Sequence, residues 1–182
     1  MIRFFDILLS ATGLVVLSPL LLFLLIIGWL DTRAPLFCYE RVGQYQKSFV
    51  LIKFRTMRLG APVVASHLAD ASAITRWGHF LRHFKLDELP QLFNVLKGEM
   101  SMVGPRPCLR SQADVIEQRA KHGIYDVRPG ITGLAQMRGI DSSRIRAMVA
   151  AEAKMMEKLN LRYYFWCIIV TVLGKGVGDQ VR

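Results

Sequence analysis

The chain opens with a continuous apolar segment. From residue 7 to residue 30 no charged side chain interrupts it. Coiled into one straight helix, this stretch would be about 36 Å long, enough to cross a hydrocarbon core of about 30 Å. It is too long for the apolar region of a secretory signal peptide, and no small-residue cleavage site follows it. The pattern therefore predicts a membrane helix near the N-terminus.

Ser18 and Pro19 stand at the centre of this segment. Pro19 has no N–H for the carbonyl of Val15, and its ring pushes that carbonyl away, so we expect a kink. The Ser18 hydroxyl can bond the freed carbonyl instead. The kink leaves two arms of about 18 Å, which either span together or enter and leave by one face. The residues alone favour the kinked spanning helix. The basic residues that follow it place the next domain in the cytosol: Arg33, Arg41 and Lys47.

The rest of the chain alternates short apolar runs with breaks. Residues 36–41 and 48–54 are predicted to be extended, because β-branched and aromatic side chains cluster there around Gly43. Residues 59–72 predict a loop, and residues 75–84 a short helix or turn. Residues 111–123 predict a helix with Ser111 as a possible cap and Gly123 as its stop. Residues 127–139 hold too much Gly and Pro for regular structure.

A long helical stretch is predicted from residue 143 to about residue 173. Its last part, from Tyr163 onward, is too short to span a bilayer. Two interpretations of this part remain open. It is an amphipathic helix at the membrane interface or an ordinary buried helix.

A helix over residues 87–98 can be argued in more detail. Leu89, Leu92, Phe93 and Leu96 recur at helical spacing and predict an apolar face. Proline is tolerated only in a first turn, so Pro90 requires the helix to begin close by, and Gly98 ends it. Asp87 then falls at or beside the N-cap, where a carboxylate can stabilise a helix without any further role.

The charge balance adds a second feature. The 182 residues include 24 basic and 14 acidic side chains, a net charge of +10. Arg3 and Asp6 are the only charged side chains among the first 30 residues, so the excess of positive charge lies in the domain that follows. Basic domains bind nucleic acid, anionic lipid or phosphorylated small molecules. The three cysteines are far apart and odd in number, which predicts reduced thiols and no disulfide or metal site.

Asp87 and Glu88 therefore lie side by side in a basic neighbourhood. Arg76, Arg82 and Lys85 precede them, and Arg106 follows within "GPRP". A helix start with several cations nearby is suited to binding an anion. A carboxylate placed there has a reason to be ionised and to hold a metal ion against a phosphate. These residue types predict phosphoryl transfer.

Four stretches carry a resemblance to a known family. They are "KFRTM", "ITRWGHFLR", "KLDELPQLFNVLKGEMSMVGPRP" and "RPGITGLAQ". Together with the oily N-terminal segment and its Ser-Pro pair, they resemble the small members of the bacterial sugar transferase family, the monotopic phosphoglycosyl transferases. The resemblance implies an α/β fold class, mostly helical with few short strands. It also implies a re-entrant membrane helix over residues 1–32 that turns at Ser18 and Pro19. A cytosolic catalytic domain with interfacial amphipathic helices would then cover residues 33–182.

The resemblance also implies a reaction. A sugar-1-phosphate moves from a UDP-sugar, with a 2-acetamido sugar expected, to undecaprenyl phosphate at the cytosolic face of the bacterial inner membrane. By similarity Asp87 is the nucleophile, UMP leaves, and Glu88 assists beside Mg²⁺ or by managing the acceptor's proton. Mg²⁺ is expected at Asp87 and Glu88. The family's phosphate-binding positions fall on Lys53, Arg82 and Arg106, although Lys53 also suits a solvated strand position.

Two places depart from the family pattern. After "GLAQ" the family commonly shows Asn-Gly-Arg, and here "MRGI" leaves Arg138 as the candidate phosphate contact. Near the C-terminus, Glu152 is the candidate for an acidic family position. Two alternatives from other classes also stay open, namely a basic membrane-anchored nucleic-acid-binding protein and a non-catalytic adaptor. The resemblance favours an enzyme whose partners are the two substrates and membrane lipids, with no nucleic acid.

Overall fold

A computed structural model describes residues 1–64 and 70–174. Helices dominate it, with four short strands, so the α/β expectation holds in its coarse form. The helices are α1 Ile2–Val16, α2 Ser18–Thr32, α3 Arg76–His83, α4 Gln91–Lys97, α5 Ala113–Lys121, α6 Leu134–Met137, α7 Ile145–Lys158 and α8 Leu161–Val172. The strands are β1 Leu36–Val42, β2 Ser48–Phe54, β3 Ser101–Val103 and β4 Gly130–Thr132. Part of the predicted loop, residues 65–69, lies outside the described residues.

The N-terminal segment folds as two helices, α1 and α2, that meet at a sharp bend. The axes of α1 and α2 differ by 64°, with the break at Leu17. Ser18 Oγ donates to the carbonyl oxygen of Val15 at 2.7 Å, as the sequence predicted. Within residues 1–64 and 70–174, each helix alone is too short or too polar to cross a bilayer. The bent pair α1 and α2 together meets the length and composition required.

The first turns of α1 contact the rest of the protein. Asp6 is 1% exposed, and its Oδ1 accepts hydrogen bonds from Ser101 Oγ at 2.9 Å and from Tyr164 OH at 2.8 Å. Arg3 donates to the carbonyl oxygens of Val95 at 2.6 Å and Leu96 at 2.8 Å. Because those carbonyls lie in the last turn of α4, α1 fixes the C-terminal end of that helix.

Two small sheets connect the helices. β1 and β2 pair antiparallel, from Leu36 with Phe54 to Val42 with Ser48, which confirms both predicted extended segments. β3 and β4 pair parallel, so regular structure is present where the Gly- and Pro-rich sequence predicted none. That sequence serves close packing, because a Cβ at Gly130 would lie 2.0 Å from the backbone nitrogen of Gly104.

The main core forms where α5, α6, α7 and α8 surround the second sheet. Met155, Tyr164 and Cys167 are fully buried there. The predicted single long helix is two helices, because the chain leaves helical geometry at Leu159 and Asn160 caps α8 by accepting from the Tyr163 N–H at 2.9 Å. One face of α8 is thus buried, while the opposite face exposes apolar side chains: Trp166, Ile169 and Val172.

Two local sequence predictions were wrong. The residue before α5 is Gln112, and no side-chain hydrogen bond caps that helix, so Ser111 is not its cap. In α4 the side chains turned inward are Leu92, Asn94 and Val95, whereas Phe93 and Leu96 are 49% and 38% exposed. The predicted apolar face is therefore only partly the buried face.

Candidate active site

The adjacent acids lie in a short turn between two helices. Leu86–Glu88 forms a 3-10 turn, and α4 begins only at Gln91. Lys85 before the turn has φ 56°, a left-handed conformation that reverses the chain after α3. Pro90 is the N-cap residue of α4, and no side-chain hydrogen bond caps that helix. The prediction that Asp87 is at or beside the N-cap was wrong, because the turn intervenes.

Burial and neighbouring positive charge act in opposite directions on the pKa of Asp87, which is 8% exposed. Burial, together with the negative charge of Glu88, raises the pKa of this carboxyl to about 6. The positive charges of Lys53, Arg82 and Arg106 lower the pKa but do not cancel the effect of burial. Asp87 is thus ionised at neutral pH at an energetic cost, and a carboxyl with such a raised pKa is a candidate functional residue.

Arg106 contacts the other acid. Its Nη1 lies 2.9 Å from Glu88 Oε1, and both side chains are largely buried, with 32% and 19% exposure. Arg106 lies just after β3 between two prolines, and Gly104 before it approaches the backbone of the β4 entry so closely that a Cβ would lie 2.4 Å from the Arg128 carbonyl oxygen. The loop therefore presents the guanidinium from a rigid support.

Arg82 reaches the site from α3. Its Nε donates to Thr56 Oγ1 at 2.9 Å, and Thr56 is buried. α3 can come this close because residue 78 is glycine, where a Cβ would lie 2.0 Å from the Thr56 carbonyl oxygen. Thr75 caps α3 by accepting from the Gly78 N–H at 2.8 Å. Of the short helix or turn predicted over residues 75–84, the structure shows the helix, Arg76–His83.

Lys53 approaches from β2. Its Nζ lies 5.9 Å from the ring centroid of Phe37 and 5.7 Å from that of Tyr39. Its charge also acts on Asp87. Lys53 is thus a strand residue whose charge acts on the acid pair, and its phosphate contact stays a prediction.

Arg138 is placed differently. It ends α6, and its charge acts on the hydroxyl of Tyr163 in α8, where burial nevertheless raises the pKa of that tyrosine. Among the contacts of the described residues none joins Arg138 to the acid pair. Glu152 pairs with Arg119 in the core, where Arg119 Nε lies 2.8 Å from Glu152 Oε2. The structure thus brings three of the four predicted cations to the dyad.

Sequence reasoning missed two residues that support the site. Thr56 orients Arg82, and Asn94 of α4 bonds to the backbone of β2. The signal for Thr56 is its place in "KFRTM", three residues after Lys53. A polar residue at an inward position of α4 was the signal for Asn94.

The acid pair is compatible with magnesium. Within residues 1–64 and 70–174, no group of three or more His, Cys, Asp or Glu side chains forms a complete metal cluster. Magnesium is commonly held by one or two carboxylates, with substrate phosphates and waters as the other ligands. Asp87 and Glu88 can supply those carboxylates, and a divalent cation would relieve the repulsion that raises the pKa of Asp87.

Comparisons with known proteins show the family of this chain. The family described as bacterial sugar transferase matches residues 1–175. The exopolysaccharide production protein PSS of Rhizobium leguminosarum bv. phaseoli is 41% identical, with 82% of each chain covered. The UDP-glucose:undecaprenyl-phosphate glucose-1-phosphate transferase of Caulobacter vibrioides is 40% identical, over 87% of this chain and 63% of its own.

Other relatives are much longer than the matched region. The UDP-N-acetylgalactosamine-undecaprenyl-phosphate N-acetylgalactosaminephosphotransferase of Aeromonas hydrophila is 37% identical over 74% of this chain, which corresponds to 33% of its own length. This chain belongs to the bacterial sugar transferase family.

Proposed function

We propose that this protein transfers a sugar-1-phosphate from a UDP-sugar to undecaprenyl phosphate through a covalent intermediate on Asp87. The general reaction, phosphoglycosyl transfer, agrees with the family and with the activities for which the Caulobacter and Aeromonas relatives are named. The observation that carries the residue assignment is the burial of Asp87 beside Glu88 and within reach of three positive charges.

In the first step an Asp87 oxygen attacks the phosphorus that bears the sugar. A new oxygen–phosphorus bond forms, the bond from that phosphorus to the UMP oxygen breaks, and UMP leaves with the electron pair. Burial supports this role, because a poorly solvated carboxylate gives up little hydration when it attacks. The turn Leu86–Glu88 holds the carboxylate in place for an in-line approach.

In the second step an oxygen of the undecaprenyl phosphate attacks the same phosphorus. The Asp87 oxygen–phosphorus bond breaks, and Asp87 returns as a carboxylate. Lys53, Arg82 and Arg106 offset the negative charge on the phosphoryl oxygens in both steps. Glu88, fixed by Arg106 at 2.9 Å, orients that guanidinium and can hold the acceptor's proton when the acceptor is protonated. Bound Mg²⁺, held by Asp87 and Glu88, would supply further charge neutralisation at the donor diphosphate.

The sugar is the less constrained part of the proposal. The relatives include enzymes named for a UDP-glucose donor and for a UDP-N-acetylgalactosamine donor, so similarity alone does not identify the sugar. We propose a 2-acetamido sugar. A panel of UDP-linked sugars with and without the acetamido group tests this choice, and faster turnover of the sugars that lack the group would contradict it.

We propose further that the bent pair α1 and α2 is a re-entrant hairpin, which enters and leaves the membrane by its cytosolic face. Support comes from the 64° bend at Leu17 and the Ser18 hydrogen bond that compensates for Pro19. Exposed apolar side chains cover both arms: Val15, Val16, Leu22, Phe23, Ile26, Trp29 and Leu30. A hairpin of this shape keeps the dyad at the level of the lipid headgroups, where the soluble donor and the lipid acceptor meet.

Labelling from each side of sealed vesicles tests the hairpin. A cysteine is placed at Ile2 in a Cys38→Ser background, because Cys38 is exposed while Cys108 and Cys167 are buried. The cysteine should react only from the cytosolic side. The double variant Ser18→Ala with Pro19→Ala restores a straight helix. In that variant a fraction of the protein should have its cysteine labelled from the opposite side. Reaction of the original hairpin from that opposite side would contradict the re-entrant proposal.

The activity itself is tested by UMP release. Purified protein with a UDP-sugar and undecaprenyl phosphate should release UMP in proportion to lipid-linked sugar, and chelation of divalent cations should stop both. A nucleic-acid-binding protein or an adaptor would release no UMP. Release that continued unchanged with excess chelator would leave the transferase assignment standing and contradict the magnesium proposal.

A further inference from the structure

Asn94 makes an unusual set of contacts for a residue in the middle of a helix. It is fully buried, and its side-chain amide points out of α4 toward β2. Its Oδ1 accepts from the backbone N–H of Ile52 at 3.1 Å, and its Nδ2 donates to the backbone carbonyl of Val50 at 2.7 Å. Nδ2 also donates to Glu99 Oε2 at 2.6 Å. The amide therefore uses both protons and its oxygen.

These bonds complete the open edge of β2. Among residues 1–64 and 70–174 the first sheet has only the strands β1 and β2, and Val50 and Ile52 direct a carbonyl and an N–H away from β1. A residue of a parallel strand would bond this carbonyl and this N–H, two positions apart, with its own peptide groups. The side chain of Asn94 takes that role. A buried strand edge without such a partner would leave both backbone groups unpaired.

The two elements joined in this way carry opposite sides of the active site. Lys53 follows Ile52 directly on β2, and its charge reaches Asp87. α4 begins immediately after the turn that holds Asp87 and Glu88. Resting on the function proposed above, we infer that Asn94 is a positioning residue that fixes Lys53 relative to Asp87. Asn94 contacts neither reacting group and acts through the strand.

Asparagine is suited to this position by its chemistry. Aspartate at this position would still accept from Ile52 but would place a carboxylate against the Val50 carbonyl and the Glu99 carboxylate. An apolar side chain would leave the strand edge unpaired. Only a short amide offers an acceptor and two donors at this reach.

The first measurement is structural and needs no turnover. Hydrogen exchange at the Ile52 amide should be slow in the original protein and at least about tenfold faster in Asn94→Ala, because the acceptor is gone. Val149→Ala serves as the matched control for general destabilisation. It leaves a cavity at a buried position of α7 that takes no part in the hydrogen bonds of Asn94. Unchanged exchange at Ile52 in Asn94→Ala, or an equal rise in the control, would overturn the inference.

The second measurement is a double-mutant cycle on adduct formation with UDP-sugar alone. Asn94→Ala and Lys53→Met should each lower the second-order rate constant of adduct formation about 100-fold, as expected for displacement of a catalytic group. The double variant should be no more than about threefold worse than Lys53→Met, since Asn94 then has nothing left to position. Asn94→Ala with Arg106→Met should instead show multiplied losses, because Arg106 is held by a different loop. Multiplied losses with Lys53→Met would overturn the inference.

A further variant keeps the test open if Asn94→Ala does not fold. Asn94→Asp with Glu99→Gln exchanges donor and acceptor between these two positions and retains the bond from Ile52. Only the donation to Val50 is lost, so the loss of activity should be smaller than for Asn94→Asp alone. Equal losses would contradict the role of the amide. Failure of the unsubstituted protein to form any adduct would instead contradict the proposed function, and the exchange of Ile52 would still report on Asn94.

Discussion

Two buried carboxylates in this protein have opposite arrangements. Glu152 is 1% exposed and faces Arg119, which is 2% exposed, through two hydrogen bonds that use both carboxylate oxygens. Asp87 is 8% exposed, and its immediate neighbour is another acid. Burial raises the pKa of both carboxyls. At Glu152 the Arg119 guanidinium lowers the pKa against that effect, whereas at Asp87 the charges of Lys53, Arg82 and Arg106 do so.

Under the proposed function, the difference separates a structural charge from a reactive one. Arg119 and Glu152 join α5 to α7, and each is the other's hydrogen-bond partner. In that function the positive charges of Lys53, Arg82 and Arg106, which act on Asp87, would bind the phosphates of the donor. The cost of burying Asp87 is consistent with selection for reactivity in place of stability.

Removal of the nucleophile should have the largest effect. Asp87→Asn keeps the size of the side chain, but an amide does not attack phosphorus, so transfer should fall by at least about 10⁴-fold. Steady-state UMP release measures this, with circular dichroism as the folding control. Near-normal turnover in Asp87→Asn would remove the distinction between the two carboxylates.

The structural pair should respond in stability. Glu152→Gln leaves the Arg119 guanidinium buried without a counter-charge, which should cost about 3–5 kcal/mol of unfolding free energy. Denaturant titration in micelles measures it. Arg119→Met combined with Glu152→Leu should recover most of the loss, and the specific activity of the folded fraction should stay close to that of the original protein. A large loss of specific activity at full stability would place Glu152 in the active site.

Arg106 should show an intermediate effect. Arg106→Ala removes a positive charge from the developing phosphoryl transition state and should lower kcat by about 10²- to 10³-fold. Arg106→Lys should restore only part, because an ammonium cannot offer the planar fork that contacts Glu88. The kinetics and the melting temperature are measured together. Loss of folding with undiminished specific activity would make "GPRP" a structural turn.

The smallest effect concerns the stability contributed by Asp87. Its native pKa of about 6 lies above the ordinary 3.8, so the native state binds more protons than the unfolded state between these values. The contribution of Asp87 to the unfolding free energy should therefore fall as pH rises from about 4 to 6, by about 3 kcal/mol at most, and stay lower above pH 6. Asp87→Asn lacks this loss.

Melting temperatures across pH 4 to 8 check this prediction. Asp87→Asn should be more stable than the original protein at pH 7, and the two should converge near pH 4. A variant that is less stable at pH 7 would show that the charge of Asp87 is stabilised by its surroundings, as that of a structural carboxylate is.

The sequence predicted the parts of the site that are local. Pro90 and Gly98 bracket α4, although the helix begins at Gln91 and not at residue 87 as predicted. The predicted cap at Asp87 was wrong because Asp87 lies within a separate 3-10 turn that precedes α4, and a pattern of apolar spacing does not register such a turn. The break between α7 and α8 escaped the same pattern, because both sides continue the helical period.

What escaped prediction depends on partners distant along the chain. Asn94 bonds to Ile52, 42 residues earlier, and Arg119 pairs with Glu152, 33 residues later. Neither pair shares a local motif. The glycines of "RPGITG" were interpreted as breakers of regular structure, while their function is to let β3 and β4 approach. The identity of a partner across the fold is information that one sequence does not contain.

The central claim is that Asp87 carries the phosphosugar. Intact-protein mass spectrometry after incubation with UDP-sugar alone tests it most directly. The mass should rise by one sugar-phosphate, peptide mapping should place the adduct on Asp87, and addition of undecaprenyl phosphate should discharge it. Asp87→Asn should show no adduct, while Glu152→Gln should still form it. An adduct that persists in Asp87→Asn, or complete transfer with no adduct on the original protein, would contradict the account.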